Sequence, residues 1–280
     1  MKIGLIDYYL DEWHANNYPA MIRKASGGKM EAAYAYAMID SPIGGRTTEA
    51  WCREMGIAHV GTVEEIIEKS DALIVLSPDN CEMHEALCRL PLASGKRTYV
   101  DKTFAPDGAT ARRIFDVAKK SNTPCYSSSA LRFAAEYEGM DAAKIHAISA
   151  WGPGSFETYA IHQLEPVMML MKARAKKVMA LAHKGWTNLT IAFEDGRYAT
   201  VSCFEAGAPF SMNLCTGDGN RVVTVESDFF QAFIQALCLF FETGRIPVSH
   251  EETLSIMDVR GAGVRALETP EVWISLQDLP

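Results

Sequence analysis

The hydrophobic and polar positions of the first 125 residues predict strands and helices in alternation. Short apolar runs such as Ala72–Leu76 are typical of strands that are buried on both faces of a parallel sheet. Helical spacing follows in Cys81–Leu90, where apolar residues recur at i, i+4 and i+7 and can lie against the sheet. The elements predicted here are Lys2–Ile6, Trp13–Ser26, Met30–Met38, Thr47–Met55, His59, Val63–Lys69, Ala72–Leu76, Cys81–Leu90 and Arg97–Val100. This series of strand–helix–strand units predicts an α/β domain with a doubly wound parallel sheet over residues 1–125.

Near Tyr126 the pattern changes to longer strands in which apolar and polar residues alternate. The Glu194-Asp195-Gly196 turn is typical of a hairpin between two of them. The elements predicted here are the strands Lys144–Trp151, Lys176–His183, Leu189–Phe193, Tyr198–Phe204 and Val272–Leu276, and the helices Asp228–Thr243 and His250–Leu267. We therefore predict a second, α+β domain over residues 126–280, with an open, largely antiparallel sheet that is suited to oligomer contacts.

Composition narrows the kinds of ligand to expect. The net charge of −8, from 27 basic and 35 acidic residues, argues against a general affinity for nucleic acid. The seven cysteines are an odd number without a C-x-x-C pair, which is typical of reduced thiols in a cytoplasmic protein rather than of disulfides or a structural metal site. The chain starts directly with a strand, and it has neither a signal-peptide pattern nor the ~18 apolar residues that a membrane span needs. We expect a cytoplasmic protein with a small-molecule ligand, no nucleic-acid or membrane partner, and no metal.

An ionisable pair follows the predicted strand Arg97–Val100. Asp101 and Lys102 come directly after this strand. In doubly wound sheets, ligands bind outside the carboxyl ends of the strands. Lys102 is therefore the first candidate for chemistry.

The order and spacing of these features resemble the Gfo/Idh/MocA oxidoreductase family, which includes glucose-fructose oxidoreductase and inositol dehydrogenase, along nearly the whole chain. The residues that carry the resemblance are Pro78, His84, Gly95, Lys96, Asp101, Lys102, Arg132, His162 and Glu165, together with the two closing helices. The resemblance implies a Rossmann-like first domain that binds NAD, with NADP as an alternative, and a second domain that binds substrate, while the open sheet of that domain predicts a homodimer or homotetramer. It also implies oxidation or reduction of a hydroxyl or keto group on a sugar, cyclitol or related polyol.

The resemblance assigns the chemistry to Lys102 and His162, and Tyr159 is a further candidate proton donor. Oxidation of an alcohol requires a base for the hydroxyl proton, and a histidine near its usual pKa of about 6.5 suits proton transfer in either direction. A lysine beside the reacting oxygen can stabilise developing negative charge. The alternatives are a solvated surface lysine and a histidine in the core.

The cofactor residues implied by the resemblance follow the strands of the first domain. They are Ile6, Asp7, Asp40, Ser77, Pro78, Asn80, His84 and Asp101. Asp40 follows the second strand, where dinucleotide-binding folds place an acid against the ribose, although Asp-Ser-Pro is also common turn chemistry. Ser77, Pro78 and Asn80 resemble a cofactor-contacting loop, and their alternative role is to cap the next helix.

The substrate candidates lie in the second domain. They are Arg132, Trp151, Thr158 and Glu165. The resemblance implies all but Trp151, whose position beside the Gly152-Pro153-Gly154 turn suits either a sugar site or simple packing. Thr158 stands where the family often has an aspartate, and neighbouring Glu157 cannot replace that aspartate on a strand, where adjacent side chains point to opposite faces, unless the backbone there is helical or irregular. Glu165 is a candidate to orient His162, or alternatively a carboxylate in the first turn of a helix.

One element of the dinucleotide pattern is absent from the chain. The first strand should be followed by G-x-G-x-x-G, but the segment from Asp7 to His14 reads DYYLDEWH, with two tyrosines and three carboxylates. Like charges about 4 Å apart cost ~4 kcal/mol at an effective dielectric constant of about 20. Two further hypotheses therefore stand beside the oxidoreductase: a non-redox lyase or hydrolase on a sugar derivative, and a non-catalytic ligand sensor.

Overall fold

Residues 1–43 and 45–278 are described in a computed structural model of the chain, in which they form two units with a sheet each. The first unit consists of Met1–Ala105, Thr110–Ser128 and Gln231–His250. The second consists of Pro106–Ala109, Ser129–Phe230 and the described residues from Glu251 onward. Within the described ranges, no helix has both the length and the hydropathy needed to cross a bilayer.

The first sheet has six strands, and every neighbouring pair in it is parallel. The strands are β1 (Lys2–Asp7), β2 (Glu31–Ala37), β3 (Ala58–His59), β4 (Ala72–Val75), β5 (Thr98–Val100) and β6 (Cys125–Tyr126). Their order is β3-β2-β1-β4-β5-β6. The order reverses between β1 and β4, which is the switch point where open α/β sheets bind ligands at the carboxyl ends of their strands. The predicted doubly wound parallel sheet is confirmed.

The first unit contains helices whose N-termini are in several cases capped by side chains. They are α1 (Trp13–Ala25), α2 (Thr48–Met55), α3 (Val63–Lys69), α4 (His84–Ala93), most of α5 (Gly108–Lys120) and most of α7 (Phe229–Thr243). The Thr47 hydroxyl caps α2 by accepting from the Ala50 N–H at 3.2 Å, and Thr62 caps α3 in the same way. Gly56 ends α2 with a φ of 68°, a conformation that glycine adopts at little cost.

The second sheet has seven strands, of which all neighbouring pairs are antiparallel except β7 and β10. The strands are β7 (Ile145–Pro153), β8 (Ala175–His183), β9 (Trp186–Phe193), β10 (Tyr198–Phe204), β11 (Ser211–Thr216), β12 (Gly219–Thr224) and β13 (Ile274–Ser275), in the order β12-β11-β7-β10-β9-β8-β13. Helix α6 (Phe156–Met171) packs on β7 and β10, and α8 (His250–Glu268) follows α7. The predicted α+β class, the largely antiparallel sheet and the β9–β10 hairpin are confirmed.

Two features of this unit differ from the sequence-based expectation. Strands β11 and β12 were not predicted, although the intervening Gly217-Asp218 is a known hairpin turn pair. The backbone around Thr158 is helical, which is the alternative left open for this segment, because α6 begins at Phe156. Glu165 therefore does not lie in the first turn of a helix, since the ~3.6 residues per turn place it in the third turn of α6.

Candidate functional site

In the first unit, ionisable side chains collect at the carboxyl ends of β1 and β5. Asp7 is the last residue of β1, while Asp101 and Lys102 follow β5. All three are buried, and Asp101 has no exposed surface. Because neighbouring parallel strands end at one edge, these groups lie at the switch point of the sheet. The burial of Lys102 does not fit the alternative of a solvated surface lysine, and its Nζ donates a long hydrogen bond of 3.4 Å to the Pro78 carbonyl oxygen.

The N-terminus of α1 is occupied by a carboxylate of the chain itself. Glu12 is the N-cap residue, and both of its carboxylate oxygens accept hydrogen bonds from the first turn. The His14 N–H donates to Oε2 at 2.7 Å, and the Ala15 N–H donates to Oε1. The Glu12 side chain is only 5% exposed. The positive end of this helix is therefore already compensated by an internal anion.

His14 lies between two carboxylates. Its Nδ1 is 2.9 Å from Glu12 Oε2, and its Nε2 is 3.8 Å from Asp101 Oδ2. Burial lowers the pKa of His14, but the Asp101 charge and the bond to Glu12 outweigh it, so that the pKa is raised. Burial, reinforced by the charges of Glu12 and Asp101, raises the pKa of Asp7 well above its usual range. These groups form a largely buried cluster of ionisable side chains, in which the Tyr99 hydroxyl donates to Asp101 Oδ1 at 2.9 Å.

Several predicted cofactor residues have structural partners within the first unit. Asp40 is exposed and caps α2, because its Oδ1 accepts from the Thr48 N–H at 2.6 Å. The Ser77 hydroxyl donates to the Asn80 carbonyl oxygen at 2.9 Å. His84 is fully buried, with Nε2 2.8 Å from the Leu76 carbonyl oxygen, and burial lowers its pKa.

Two other predicted cofactor positions, Ile6 and Pro78, are buried. The geometry shows what holds these residues in place, and their contact with a cofactor stays a prediction.

The residues at the N-terminus of α1 do not fit a pyrophosphate in the geometry that dinucleotide-binding folds use. That geometry needs free N–H groups on the first turn and a backbone without side chains above them. Here Glu12 takes the N–H groups of the first turn, and Tyr9 fills the turn before it, with 8% of its surface exposed. Nearby Arg46 is bound to Asp11 at 2.6 Å, so its charge is already balanced. A dinucleotide would have to displace Glu12 or bind elsewhere on the edge.

In the second unit, His162 of α6 is held by a serine that the sequence analysis did not single out. The Ser129 hydroxyl lies 2.7 Å from His162 Nδ1. The rings of Tyr159 and Phe210 meet the imidazole edge to face, with centroids at 5.4 and 5.8 Å. Tyr159 is 42% exposed. His162 thus has one fixed nitrogen and an aromatic surround that includes a solvent-accessible phenol.

The substrate candidates Arg132 and Glu165 form a buried ion pair. Arg132 Nη1 is 2.7 Å from Glu165 Oε2, and Nη2 is 2.7 Å from an oxygen of Glu252. Burial raises the pKa of Glu165 although Arg132 and a backbone hydrogen bond from Ser129 oppose the shift. Ser129 therefore links the two residues, because its backbone forms a hydrogen bond with Glu165 and its hydroxyl contacts His162 Nδ1.

The other two substrate candidates lie near the ends of β7 and α6. Thr158 Oγ1 is 2.9 Å from Ser155 Oγ in the first turn of α6, and Trp151 is half-buried near the end of β7. Ser129, Glu252 and His14 were missed by sequence reasoning. These residues leave weak local signals, because Ser129 and Glu252 contact residues that are distant in sequence, and His14 contacts Glu12, which is an unusual N-cap residue.

No protein-family model matches the chain, and no curated protein sequence does. Solved structures match its fold along almost all of its length. A probable dehydrogenase from Thermotoga maritima is 14% identical over 100% of both chains, with a TM-score of 0.79. A scyllo-inositol dehydrogenase from Lactobacillus casei with bound NAD(H) and scyllo-inositol is 16% identical over 99% of both chains, with a TM-score of 0.78.

A myo-inositol dehydrogenase from the same organism, in complex with NAD(H) and myo-inositol, is 14% identical over 98% of this chain and 96% of its own, with a TM-score of 0.79. At these identities the similarity establishes the fold. The chain has the two-sheet architecture of these dehydrogenases.

Proposed function

We propose that this chain is an oxidoreductase that acts on a hydroxyl or keto group of a sugar, cyclitol or related polyol, with NAD or NADP as its cofactor. The observation that supports the proposal is the fold, which inositol dehydrogenases with bound NAD(H) share over nearly the full length of the chain. The buried Lys102 at the switch point and the ordered His162 agree with it. The proposal requires that the dinucleotide be held with Glu12 moved away from α1, or in a different position.

The chain's own residues supply the proton chemistry of this proposal. Lys102 is the group that donates a hydrogen bond to the substrate oxygen and stabilises negative charge on it. His162 takes the hydroxyl proton during oxidation and returns it during reduction, while Ser129 fixes the ring by its contact with Nδ1. Tyr159, on the same helix, is the second proton donor of the proposal.

The experiment that tests the proposal begins with binding and then measures turnover. Purified protein is titrated with NADH and NADPH while the quenching of its five tryptophans is followed, and a denatured sample is examined for released nicotinamide. Inositols and sugars are then screened for cofactor oxidation or reduction. We expect saturable binding and polyol-dependent turnover.

Lys102→Met should abolish this turnover. The matched change Lys119→Met, at an exposed position on α5, should leave it intact. Absence of both binding and turnover, or equal turnover in the two variants, would count against the proposal.

A second candidate function is favoured by one observation. Because Glu12 occupies the N-terminus of α1, the cluster of His14, Asp101 and Asp7 is equipped for acid and base catalysis without a dinucleotide. We propose as the alternative a non-redox reaction, elimination or hydrolysis, on a sugar derivative. Turnover of such a substrate by protein that is free of nicotinamide would favour this candidate, while strict dependence on added NAD or NADP would exclude it.

We also propose that the protein works in the cytoplasm as a homodimer or homotetramer. All seven cysteines are free thiols, which agrees with a reducing compartment. The second sheet exposes the large side chains of Tyr198 and Val222, which agrees with a surface for a second copy. Light scattering that gives the mass of a monomer at micromolar concentration would refute the oligomer.

A further inference from the structure

The first turn of α1 has its backbone donors satisfied by one side chain. The first N–H groups of a helix have no partner inside the helix and need an acceptor. In this chain the acceptor is Glu12, which binds the His14 N–H through Oε2 at 2.7 Å and the Ala15 N–H through Oε1. In dinucleotide-binding folds a pyrophosphate accepts from the corresponding groups. Glu12 therefore presents its negative charge where a nucleotide would present its own.

The Glu12 carboxylate is held there by more than the helix. The His14 ring lies 2.9 Å from Oε2, which gives the carboxylate a third polar contact. The backbone N–H of Glu12 donates to the Leu10 carbonyl oxygen at 2.8 Å, so the residue closes a tight turn. With 5% of the side chain exposed, little water reaches the carboxylate. Glu12 is thus an integral part of the site.

We propose that Glu12 is an internal anion that excludes pyrophosphate from the N-terminus of α1 and so determines how weakly the first unit binds dinucleotides. Two negative groups cannot accept from the same N–H groups at once. A pyrophosphate that enters must displace Glu12 and leave its carboxylate nearby, where like charges repel. Asp101, on the other side of His14, adds to the repulsion.

This inference goes beyond the polyol chemistry proposed above and does not depend on it. It concerns the binding of the pyrophosphate group alone, so it is tested with ADP-ribose, which carries the pyrophosphate but no nicotinamide, as well as with NADH. A gain in binding without turnover would support the inference while the proposed function fails. Turnover by the unchanged chain, with no gain in ADP-ribose binding when Glu12 is replaced, would support the proposed function and contradict the inference.

The test uses Glu12→Ser in the full-length protein. Serine is a good N-cap residue, so the variant keeps an acceptor for α1 while it removes the charge and opens space for a phosphate. The matched control is Glu68→Ser, which removes one negative charge from an exposed position on α3. Dissociation constants for ADP-ribose and NADH are measured by tryptophan quenching. We expect Glu12→Ser to tighten both by about tenfold or more, and Glu68→Ser to change neither.

A second variant protects the test against a folding defect. Glu12→Gln keeps the side-chain length and one acceptor oxygen while it removes the charge, and we expect it to give a smaller gain than Glu12→Ser. Circular dichroism and thermal unfolding establish that each variant is folded. If a folded variant binds ADP-ribose no more tightly than the unchanged protein, or if Glu68→Ser gives the same gain, Glu12 does not control pyrophosphate binding and the inference is wrong.

Discussion

Replacement of Arg132 by methionine tests whether the buried ion pair holds the second unit together. Methionine keeps much of the length and apolar volume of the arginine stem but carries no charge. The side chains of Arg132 and Glu165 are 7% and 3% exposed and meet at 2.7 Å. Removal of one partner of a buried pair leaves the other charge uncompensated and typically costs about 3–5 kcal/mol. We expect Arg132→Met to lower the free energy of unfolding by an amount in this range at neutral pH.

The loss of unfolding free energy in Arg132→Met should also depend on pH, and the direction of this dependence follows from the pKa of Glu165. Burial already raises the pKa of Glu165, and without Arg132 the pKa rises further. A carboxyl whose folded pKa exceeds its unfolded pKa binds more protons in the folded state, so its contribution to stability is complete below about pH 4.3 and is lost as the pH rises through the folded pKa. The deficit of Arg132→Met should therefore be smaller at about pH 5 than at about pH 8.

Urea unfolding followed by circular dichroism and tryptophan fluorescence measures both quantities. The matched control is Arg174→Met, because Arg174 is 75% exposed and its ion pair with Glu194 is 3.6 Å long. Exposed pairs contribute about 0–1 kcal/mol, so the control should change little. A loss below about 1 kcal/mol for Arg132→Met, or a deficit that does not shrink at low pH, would refute this account of the pair.

Three further predictions follow from the described contacts. If the proposed function holds, His162→Asn lowers kcat by about 10²–10⁴-fold. Ser129→Ala lowers kcat less and shifts its pH profile, because it removes the contact with His162 Nδ1, and an unchanged pH profile would contradict the role of that contact. The pKa of His14 is raised in the folded state, so the contribution of His14 to stability is complete below about pH 6.5 and declines as the pH rises through the folded pKa. We therefore expect His14→Asn to flatten the pH dependence of the free energy of unfolding in urea over that range. An identical pH dependence in the variant would contradict this prediction. Gly4→Ala places a Cβ within 3 Å of neighbouring side chains and should lower the free energy of unfolding by about 1–3 kcal/mol. In the control Gly61→Ala the new Cβ meets nothing within 4 Å. Equal melting temperatures of the two variants would show that the side chains around Gly4 move to accommodate the methyl group.

The sequence predicted the first sheet well because its strands are short apolar runs. Ala72–Val75 is buried at every position, as a central parallel strand must be. Helix α6 was harder to predict, since Phe156–Met171 is buried on most of its surface and contains Pro166, so that no clear apolar stripe marks it. Strand β12 lies at the edge of the second sheet and is mostly exposed, so the apolar pattern of the hairpin that it forms with β11 is weak.

The candidate site was predictable only where topology determines it. Asp101 and Lys102 follow a predicted parallel strand, and all parallel strands bring their carboxyl ends to one edge. The contact between Ser129 and His162 joins residues 33 positions apart and leaves no local pattern. Glu12 was suspected for its charge but not as a cap, because glutamate is not among the preferred N-cap residues. Side-chain contacts between distant segments thus require the structure.

The fold and its ligand are determined by different requirements at the N-terminus of α1. The helix needs an acceptor for its first N–H groups, and a carboxylate of the chain satisfies this need as well as an external phosphate does. Dehydrogenase structures with bound NAD(H) that are 14–16% identical to this chain share its fold, and in this chain Glu12 is the acceptor at the N-terminus of α1. The similarity of fold predicts the position of a site but not its charge. The effect of the negative charge at Glu12 is therefore measured directly, as the affinity for a pyrophosphate of protein in which that residue has been changed.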